Sequence, residues 1–225
     1  MFYKENLVDV IEARLPAVYT KICMLDADIF FSKPDWYTQT SLLLDTHDIC
    51  QPFTNAIWTH ADFTEYRRRT HCLGSSLPII NWLTEHPGFV WAFRREWYRS
   101  YPYRHIPICT TGGDTILHDL VKGRHMGLYK YYKKYYNKCE EQKISVNYSW
   151  LDCDIYHLNH GVYDKRMYPT YVDDVCTLLN TFGFTMPYDA VYHREDGILE
   201  WKPVCREAIN AFNDNYFRSR EEDEV

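Results

Sequence analysis

A short apolar run followed at once by two carboxylates constrains this chain more than any other feature of its sequence. Residues 22–25 read Ile-Cys-Met-Leu between polar neighbours, which is typical of a strand buried on both faces. Asp26-Ala27-Asp28 follows directly. In open α/β sheets, ligands bind just beyond the carboxyl ends of the strands. The sequence therefore predicts an α/β fold with a ligand site at Asp26 and Asp28.

Helices and strands alternate on either side of this predicted strand. Residues 6–14 predict a short helix with Leu7, Val10 and Ile11 on its apolar face. Further along we expect, in order, a helix over 34–44, strands over 48–53 and 89–93, a helix over 114–121, a strand over 154–158, and helices over 171–180 and 204–218. Because no linker or repeat divides the chain, one domain is expected over residues 1–225, with a helical C-terminal region from about 164 to 220.

Composition excludes several classes of protein. The net charge is −6, whereas a dedicated nucleic-acid binder usually carries a basic excess. No apolar stretch approaches the length of a membrane span, and the N-terminus lacks the apolar core of a signal peptide. The 8 cysteines form no Cys-x-x-Cys pair, so we expect buried, reduced thiols in a cytoplasmic protein.

The two carboxylates after the first strand have a chemical and a structural interpretation. Asp26 and Asp28 can hold a divalent cation such as Mn²⁺ or Mg²⁺, because hard cations prefer oxygen ligands and accept phosphate beside them. Asp pairs after strands also serve as ordinary turn or cap residues. The apolar residues on both sides of the pair favour the metal site.

A second candidate segment contains glycines and an acid. Gly88 precedes an aromatic stretch that includes Trp91, and Gly112-Gly113 precedes Asp114 at the start of a predicted helix. Glycine lets a ligand approach the backbone closely, and an acid beside it can serve as a general base. The structural alternatives are a helix cap for Asp114 and a core position for Trp91.

The remaining candidate functional segments are one that contains two histidines and two that are basic. The segment 157–161 reads His-Leu-Asn-His-Gly, and imidazole could complete a metal site that begins with aspartates. Residues 130–138 are basic and aromatic; a solvated hairpin or helix face is favoured there over an anion-binding or membrane-binding surface. The polar segment 66–69 is interpreted in the same way.

The order of these motifs resembles the GT-A class of nucleotide-sugar glycosyltransferases. That class shows a strand ending in Asp-x-Asp, a glycine segment, a Gly-Gly followed by an acid, and then a metal-binding histidine. The resemblance covers residues 12–220 roughly, and it rests on the ordered combination. Its quoted segments are Leu25-Asp26-Ala27-Asp28, Gly88-Phe89-Val90-Trp91, Gly113-Asp114 and His160-Gly161.

The resemblance implies a mixed sheet flanked by helices and a metal-dependent transfer of sugar, with inversion, from a nucleotide sugar such as a UDP-sugar to a glycan or other hydroxyl acceptor. Mn²⁺ or Mg²⁺ would be held by Asp28 and His160, and Asp114 would be the general base. The donor and acceptor would be bound by Asp26, Gly88, Trp91, Gly112 and Gly113.

One departure from the GT-A pattern leads to a second hypothesis. Only 25 residues precede Asp26, whereas the class normally places several nucleotide-binding units there. We therefore expect an N-terminally truncated GT-A-like sheet with an open edge beside strand 22–25, weak affinity for nucleotide sugars, and cover from a second copy or a completing subunit. The alternative function is a non-catalytic sugar-binding or assembly remnant. A metal-dependent phosphodiester hydrolase fits less well, because such sites usually cluster more His and Asp ligands.

Overall fold

The computed structural model describes residues 4–74, 80–125, 127–143, 145–159 and 168–220. In these ranges the chain forms seven α-helices and eleven strands. The helices are α1 (Lys4–Arg14), α2 (Trp36–Leu43), α3 (Arg95–Ser100), α4 (Gly113–Lys122), α5 (Tyr129–Glu141), α6 (Tyr168–Asn180) and α7 (Pro203–Ser219). The strands are β1 (Lys21–Leu25), β2 (Ile29–Phe31), β3 (Ile49–Gln51), β4 (Asn55–Thr59), β5 (Glu65–His71), β6 (Glu85–His86), β7 (Val90–Arg94), β8 (Tyr148–Trp150), β9 (Asp154–His157), β10 (Val191–His193) and β11 (Leu199–Trp201).

The first sheet contains the strand that the apolar run predicts. Its order is β1-β7-β3-β8, and β1 pairs antiparallel with β7 in a register that sets Ile22 opposite Phe93. Strand β3 pairs antiparallel with β7 and parallel with β8, so the sheet is mixed. Among the described residues, no strand pairs with the outer side of β1. The mixed α/β class is confirmed.

The second sheet begins directly after the Asp-x-Asp segment. Its order is β2-β9-β4-β5-β6. Strand β2 pairs antiparallel with β9 and sets Ile29 opposite His157, which brings the end of β9 beside residues 26–28. A third, two-stranded sheet of β10 and β11 lies within the C-terminal region that was predicted to be helical.

The interpretation of residues 66–69 as a solvated hairpin or helix face is confirmed for Tyr66 and Arg68, which are exposed, and is wrong for Arg69. These residues belong to β5, which pairs antiparallel with β4. Arg69 is buried, and its guanidinium lies 5.5 Å from the centre of the Trp58 ring. Because alternate arginines can cover an aromatic surface with their stems, a charged run is compatible with a sheet here.

The buried face of α1 also differs from the prediction. Leu7 and Ile11 are 42% and 58% exposed, whereas Glu5, Asn6 and Glu12 are buried. Asn6 and Glu12 are buried together with hydrogen-bond partners that lie far away in the sequence. The Asn6 side chain, for example, donates to the carbonyl of Gly197 at 3.0 Å and accepts from the Leu199 N–H at 2.8 Å.

Aromatic residues are prominent in the two largest buried clusters. One lies between the first sheet, α3, α4 and α5, and the other lies between α6, α7 and the β10–β11 pair. In α5, Tyr132, Tyr136 and Cys139 face the first core at spacings of four and three residues, while Lys133 and Lys134 are exposed. The prediction of a solvated basic face is confirmed. Tyr132 and Tyr136 are fully buried, so the high aromatic content serves packing in this region.

The expectation of buried thiols is confirmed for seven of the eight cysteines. All eight cysteines are unpaired, and seven are buried; Cys23 is exposed. Of the helices in the described ranges, none combines the length and the apolar character that crossing a membrane requires.

A buried ion pair holds α1 against the first sheet. Arg95 and Glu12 are only 4% and 2% exposed at the side chain, and they are bonded directly to each other. Arg95 also donates to the carbonyls of Glu12, Leu15, Pro16 and Tyr19. Burial acts to raise the pKa of Glu12, but hydrogen bonds from Arg95 and Arg99 outweigh burial and lower it. One guanidinium therefore fixes the end of α1 and the turn that leads into β1.

Replacing Arg95 by Met is expected to destabilise the fold strongly, because it leaves the buried Glu12 carboxylate without its main partner. Loss of one member of a buried pair costs about 3–5 kcal/mol. The free energy of unfolding measured in urea would show the change. Arg99→Met is the matched control, since Arg99 is half exposed and makes one hydrogen bond to Glu12. Equal effects of the two substitutions would contradict the assignment.

Candidate functional site

The Asp-x-Asp segment extends the β1–β7 pairing by one step and then turns into β2. The Asp26 N–H donates to the carbonyl of Phe89 at 2.8 Å. The Asp28 carbonyl accepts from the Leu158 N–H at 2.8 Å. Both ends of the segment are thus fixed by backbone hydrogen bonds, one to each sheet. The two carboxylates lie where the sheets meet.

Gly88 and Phe89 form a tight bend immediately before β7. The Gly88 N–H donates to Nδ1 of His86 at 3.0 Å, and Phe89 has a φ of +77°, which is rare for a residue with a side chain. Burial first, and the charge of Arg69 next, lower the pKa of His86 well below its ordinary value. A neutral His86 can accept the Gly88 hydrogen bond while its ring stacks on Phe89 at 4.1 Å.

The bend at Gly88 meets the start of α4. A Cβ at Gly88 would lie 3.1 Å from Oδ2 of Asp114 and 3.0 Å from Cε1 of His86, so only glycine fits comfortably. Gly112 precedes α4 with a φ of +92°, a conformation that glycine adopts without strain. Asp114 then falls in the first turn, with its side chain beside the Gly88 backbone.

A lysine that the sequence interpretation did not assign joins the two acidic motifs. Lys4 Nζ lies 2.8 Å from Oδ2 of Asp114 and 4.0 Å from Oδ1 of Asp26. Burial acts to lower the pKa of Lys4, but the negative charges of Asp114, Glu5 and Asp26 outweigh it and raise the pKa. Two carboxylates that are far apart in the sequence therefore share one ammonium group.

Glu5 fills the space above the second glycine. A Cβ at Gly113 would lie 1.8 Å from Oε1 of Glu5, so the close approach of this side chain to α4 requires a glycine. Burial raises the pKa of Glu5 to about 7 despite the attraction of Lys4. Burial, together with the charges of Asp114 and Asp28, also raises the pKa of Asp26 to about 6. The site thus concentrates acids that hold protons more tightly than exposed acids do.

Asp28 has a histidine neighbour, although it is not the predicted one. Nε2 of His157 lies 3.4 Å from Oδ2 of Asp28. His157 is 6% exposed and reaches this position because β9 pairs with β2. The predicted ligand His160 lies outside the described residues. The strand pairing that selects His157 could not be inferred from the His-Leu-Asn-His spacing.

The donor atoms at this end of the site have the chemistry that Mn²⁺ accepts, namely carboxylate oxygen and imidazole nitrogen. In the described ranges, no group of three or more His, Cys, Asp or Glu side chains is arranged to hold a metal ion. Asp28 and His157 provide one donor of each kind. The metal assignment to Asp28 and His160 stays a prediction.

A groove of about 280 Å³ leads away from the acids, between α1 and β1. Its walls are mainly apolar, and Lys4, Asp26 and Asp114 lie among its lining residues. The other lining residues are Val8, Ile11, Glu12, Leu15, Ile22, Cys23, Met24, Leu25, Phe89 and Trp91. Trp91 is 1% exposed, and its Nε1 donates to the carbonyl of Pro87 at 2.8 Å, so this residue occupies a core position in the groove wall.

The structure brings together Asp26, Gly88, Gly113 and Asp114 from the predicted set, with Gly112 as the residue that starts α4. The sequence interpretation missed Lys4, Glu5, His86 and the role of His157. Lys4 and Glu5 belong to α1, whose polar face is buried, and no periodic signal marks that face.

Searches for similar proteins found none: no family model, curated protein or solved structure matches this chain.

Glu5 is expected to make folding less favourable as the pH rises. Its pKa is about 7 in the folded chain and 4.5 for an unperturbed side chain, so the folded state binds more protons between these values. Stability should therefore be highest below pH 4.5 as far as Glu5 is concerned, and should fall by roughly 2–3 kcal/mol as the pH rises through 7.

Urea unfolding of the wild type and of Glu5→Gln between pH 4.5 and 8 tests this expectation. The variant should show a shallower downward slope and gain stability relative to the wild type at pH 8; the slope that remains comes from acids such as Asp26, whose pKa is also raised, to about 6. Glu141→Gln, which changes an exposed side chain on α5, is the control and should leave the slope unchanged. A slope in Glu5→Gln as steep as that of the wild type would assign it to other groups.

Proposed function

We propose that this chain is a metal-dependent glycosyltransferase that moves a sugar from a nucleotide sugar to a hydroxyl acceptor. The observation that supports this function best is the meeting of three separate motifs at one end of the groove. Asp26 bonds to Phe89 through its backbone, Asp114 lies against Gly88, and Lys4 joins the two carboxylates. The ordered motifs of the sequence are therefore neighbours in space.

In this proposal Asp114 acts as the general base. Its side chain is 22% exposed, so an acceptor hydroxyl can reach it, and Lys4 orients the carboxylate through a hydrogen bond. The absence of a side chain at Gly88 lets the Asp114 carboxylate lie close to the backbone of the bend. A base in this position would remove the hydroxyl proton as the acceptor oxygen bonds to the sugar, with inversion at the anomeric carbon.

Asp26 and Asp28 would interact with the donor side of the reaction. Asp28, with its histidine neighbour and the predicted ligand His160, would hold Mn²⁺ or Mg²⁺, and Asp26 would contact the ribose or support the metal through water. The chemistry that such a cation supplies when bound is neutralisation of charge on the departing nucleoside diphosphate. The raised pKa of Asp26, about 6, still leaves it ionised for this role above neutral pH.

Two observations favour a second candidate, a non-catalytic sugar-binding or assembly subunit. Lys4 Nζ already lies between Asp26 and Asp114, where a transferase would admit its substrates. In the described part of the chain, β1 is also the last strand of its sheet, so no strand beyond Asp26 contributes a surface for a nucleotide base. Under this hypothesis the glycine bend and the acids bind sugar hydroxyls without turnover.

The activity prediction is that the wild type, supplied with Mn²⁺ and a panel of nucleotide sugars, transfers or releases sugar and loses this activity when the metal is chelated. Asp114→Asn should lower turnover by about 10²–10⁴-fold, because a general base is removed. Donor binding, measured by calorimetry, should change little. The control Asp152→Asn makes the same substitution at a carboxylate that is 97% exposed and should leave turnover unchanged.

The outcomes separate the two candidates. Sugar binding without transfer for any donor, in the wild type as in Asp114→Asn, would support the non-catalytic subunit. Transfer by the wild type that survives in Asp114→Asn would retain the enzyme and remove Asp114 from its mechanism. Micromolar or tighter binding of a UDP-sugar by a monomer would contradict the expectation of an incomplete nucleotide pocket.

A further inference from the structure

Strand β1 differs from the other edge strands of the molecule. Four described strands lie at the edges of the two larger sheets: β1, β8, β2 and β6. Strand β1 has five residues, β2 and β8 have three each, and β6 has two. Short edge strands discourage pairing with other chains, whereas a longer one offers a template for it. Among these four edge strands, only β1 has the length of an average strand.

The hydrogen-bond pattern shows which groups β1 presents outward. At one end the Arg95 N–H donates to the Thr20 carbonyl, and at the other the Asp26 N–H donates to the Phe89 carbonyl. Bonded pairs alternate along an antiparallel ladder, so residues 20, 22, 24 and 26 direct their backbone groups toward β7. Lys21, Cys23 and Leu25 therefore direct their N–H and carbonyl groups to the open side.

The surroundings of this edge are apolar. The groove between α1 and β1 runs along it, with Ile11 and Leu15 in one wall and Ile22 to Leu25 in the other. Leu25 is 48% exposed, and Val18 and Tyr19, which lead into β1, are 78% and 55% exposed. Strand β1 contains no proline, and its one charged residue, Lys21, is ion-paired with Asp45. Strand β1 therefore lacks the proline and the unpaired charge that commonly protect an edge strand from pairing with another chain.

We propose that β1 is a dimerisation edge, on which the β1 strand of a second copy of this chain pairs antiparallel about a twofold axis at Cys23. This register sets Cys23 opposite Cys23 of the second copy and Ile22 opposite its Met24. The outward groups of Lys21, Cys23 and Leu25 then all find partners. Each sheet gains a neighbour, and the two form one continuous sheet across the axis.

The sequence of β1 is compatible with antiparallel pairing to β1 of a second copy. Antiparallel pairing about Cys23 sets Lys21 opposite Leu25, so like charges do not face each other. Ile22 and Met24 lie on the same face of the strand, beside α1, and would form an apolar cross-strand pair. A twofold contact of this kind must be self-complementary, and this five-residue strand meets that condition.

Helix α1 would take part in the same contact. Lys4 lies near Asp26 and Glu12 lies near Arg95, so α1 runs antiparallel to β1 on one face of the sheet. A twofold axis perpendicular to the sheet brings the second α1 to the same face. Ile11, in the groove wall, and Leu7, one turn earlier, are exposed apolar residues that the second helix would cover.

The register also places the acidic site close to the dimer contact. Thr20 of the second copy lies opposite Asp26, so the segment that precedes it borders the end of the groove where the acids lie. The dimer contact does not depend on glycosyl transfer, and the two proposals can fail separately.

The test measures the mass of the full chain in solution, by light scattering after size exclusion, for the wild type and for Cys23→Lys. The wild type should be a dimer. Cys23→Lys should be a monomer with an unchanged circular dichroism spectrum, because two ammonium groups would face each other across the axis. Val204→Lys is the control: it places the same charge at an apolar residue that is 62% exposed on α7, and it should remain a dimer.

A second measurement locates the contact. Opposed residues in an antiparallel pair have Cα atoms about 4.5–5.5 Å apart, so a short bis-maleimide should join two chains through Cys23. Cys23→Ser should remain a dimer by mass and lose the crosslink. A wild type that stays monomeric at the highest concentration measured would overturn the proposal. So would a dimer that Cys23→Lys does not disrupt, or one that pairs instead with a different protein along β1.

Discussion

The position of α1 depends on a single buried guanidinium. Arg95 holds the Glu12 carboxylate and four backbone carbonyls between the end of α1 and the start of β1. Because α1 is fixed at this end, its other end reaches the start of α4, where Lys4 and Glu5 enter the acidic site. Much of this interface is therefore polar: Val8 packs against the first core, whereas Leu7 and Ile11 remain at the surface. The site and the groove both follow from this placement.

Two residues with positive φ values, Gly112 and Phe89, bring the remaining parts of the acidic site together. Gly112 adopts a φ of +92°, so α4 starts with Asp114 turned toward the bend at Gly88. Phe89 keeps a φ of +77° although it carries a side chain, and strain of this kind costs about 1–3 kcal/mol unless the surroundings impose it. The stacked ring of His86 and the hydrogen bond from Asp26 to the Phe89 carbonyl are surroundings that impose it. Strained bends of this kind occur often at functional sites.

The sequence predicts the elements that have a clear apolar period and a defined end. Strand β1 and helices α4 and α7 appear within one residue of their expected starts, since each has local signals that tertiary contacts do not oppose. Strand β5 is not predicted, because its run of three arginines lacks strand formers; in the structure Arg67 and Arg69 lie against the Trp58 ring of β4. The prediction of the buried face of α1 is wrong for a related reason. Glu12 is buried because it pairs with Arg95, which lies 83 residues away in the sequence.

The candidate site could be predicted only in part for the same physical reason. Asp26, Gly88 and Asp114 have recognisable positions relative to local elements, whereas Lys4 is a lysine in the first turn of a helix and has no local mark. The choice of His157 as the neighbour of Asp28 depends on the pairing of β2 with β9.

Such non-local contacts also determine the charge of the site. Lys4 supplies one positive charge among Glu5, Asp26 and Asp114, so a diphosphate that approaches these carboxylates meets repulsion unless a further cation accompanies it. A neutral sugar hydroxyl meets no such barrier. Under the proposed function, nucleotide-sugar binding would therefore require a divalent cation, whereas sugar hydroxyls could bind to these residues without one.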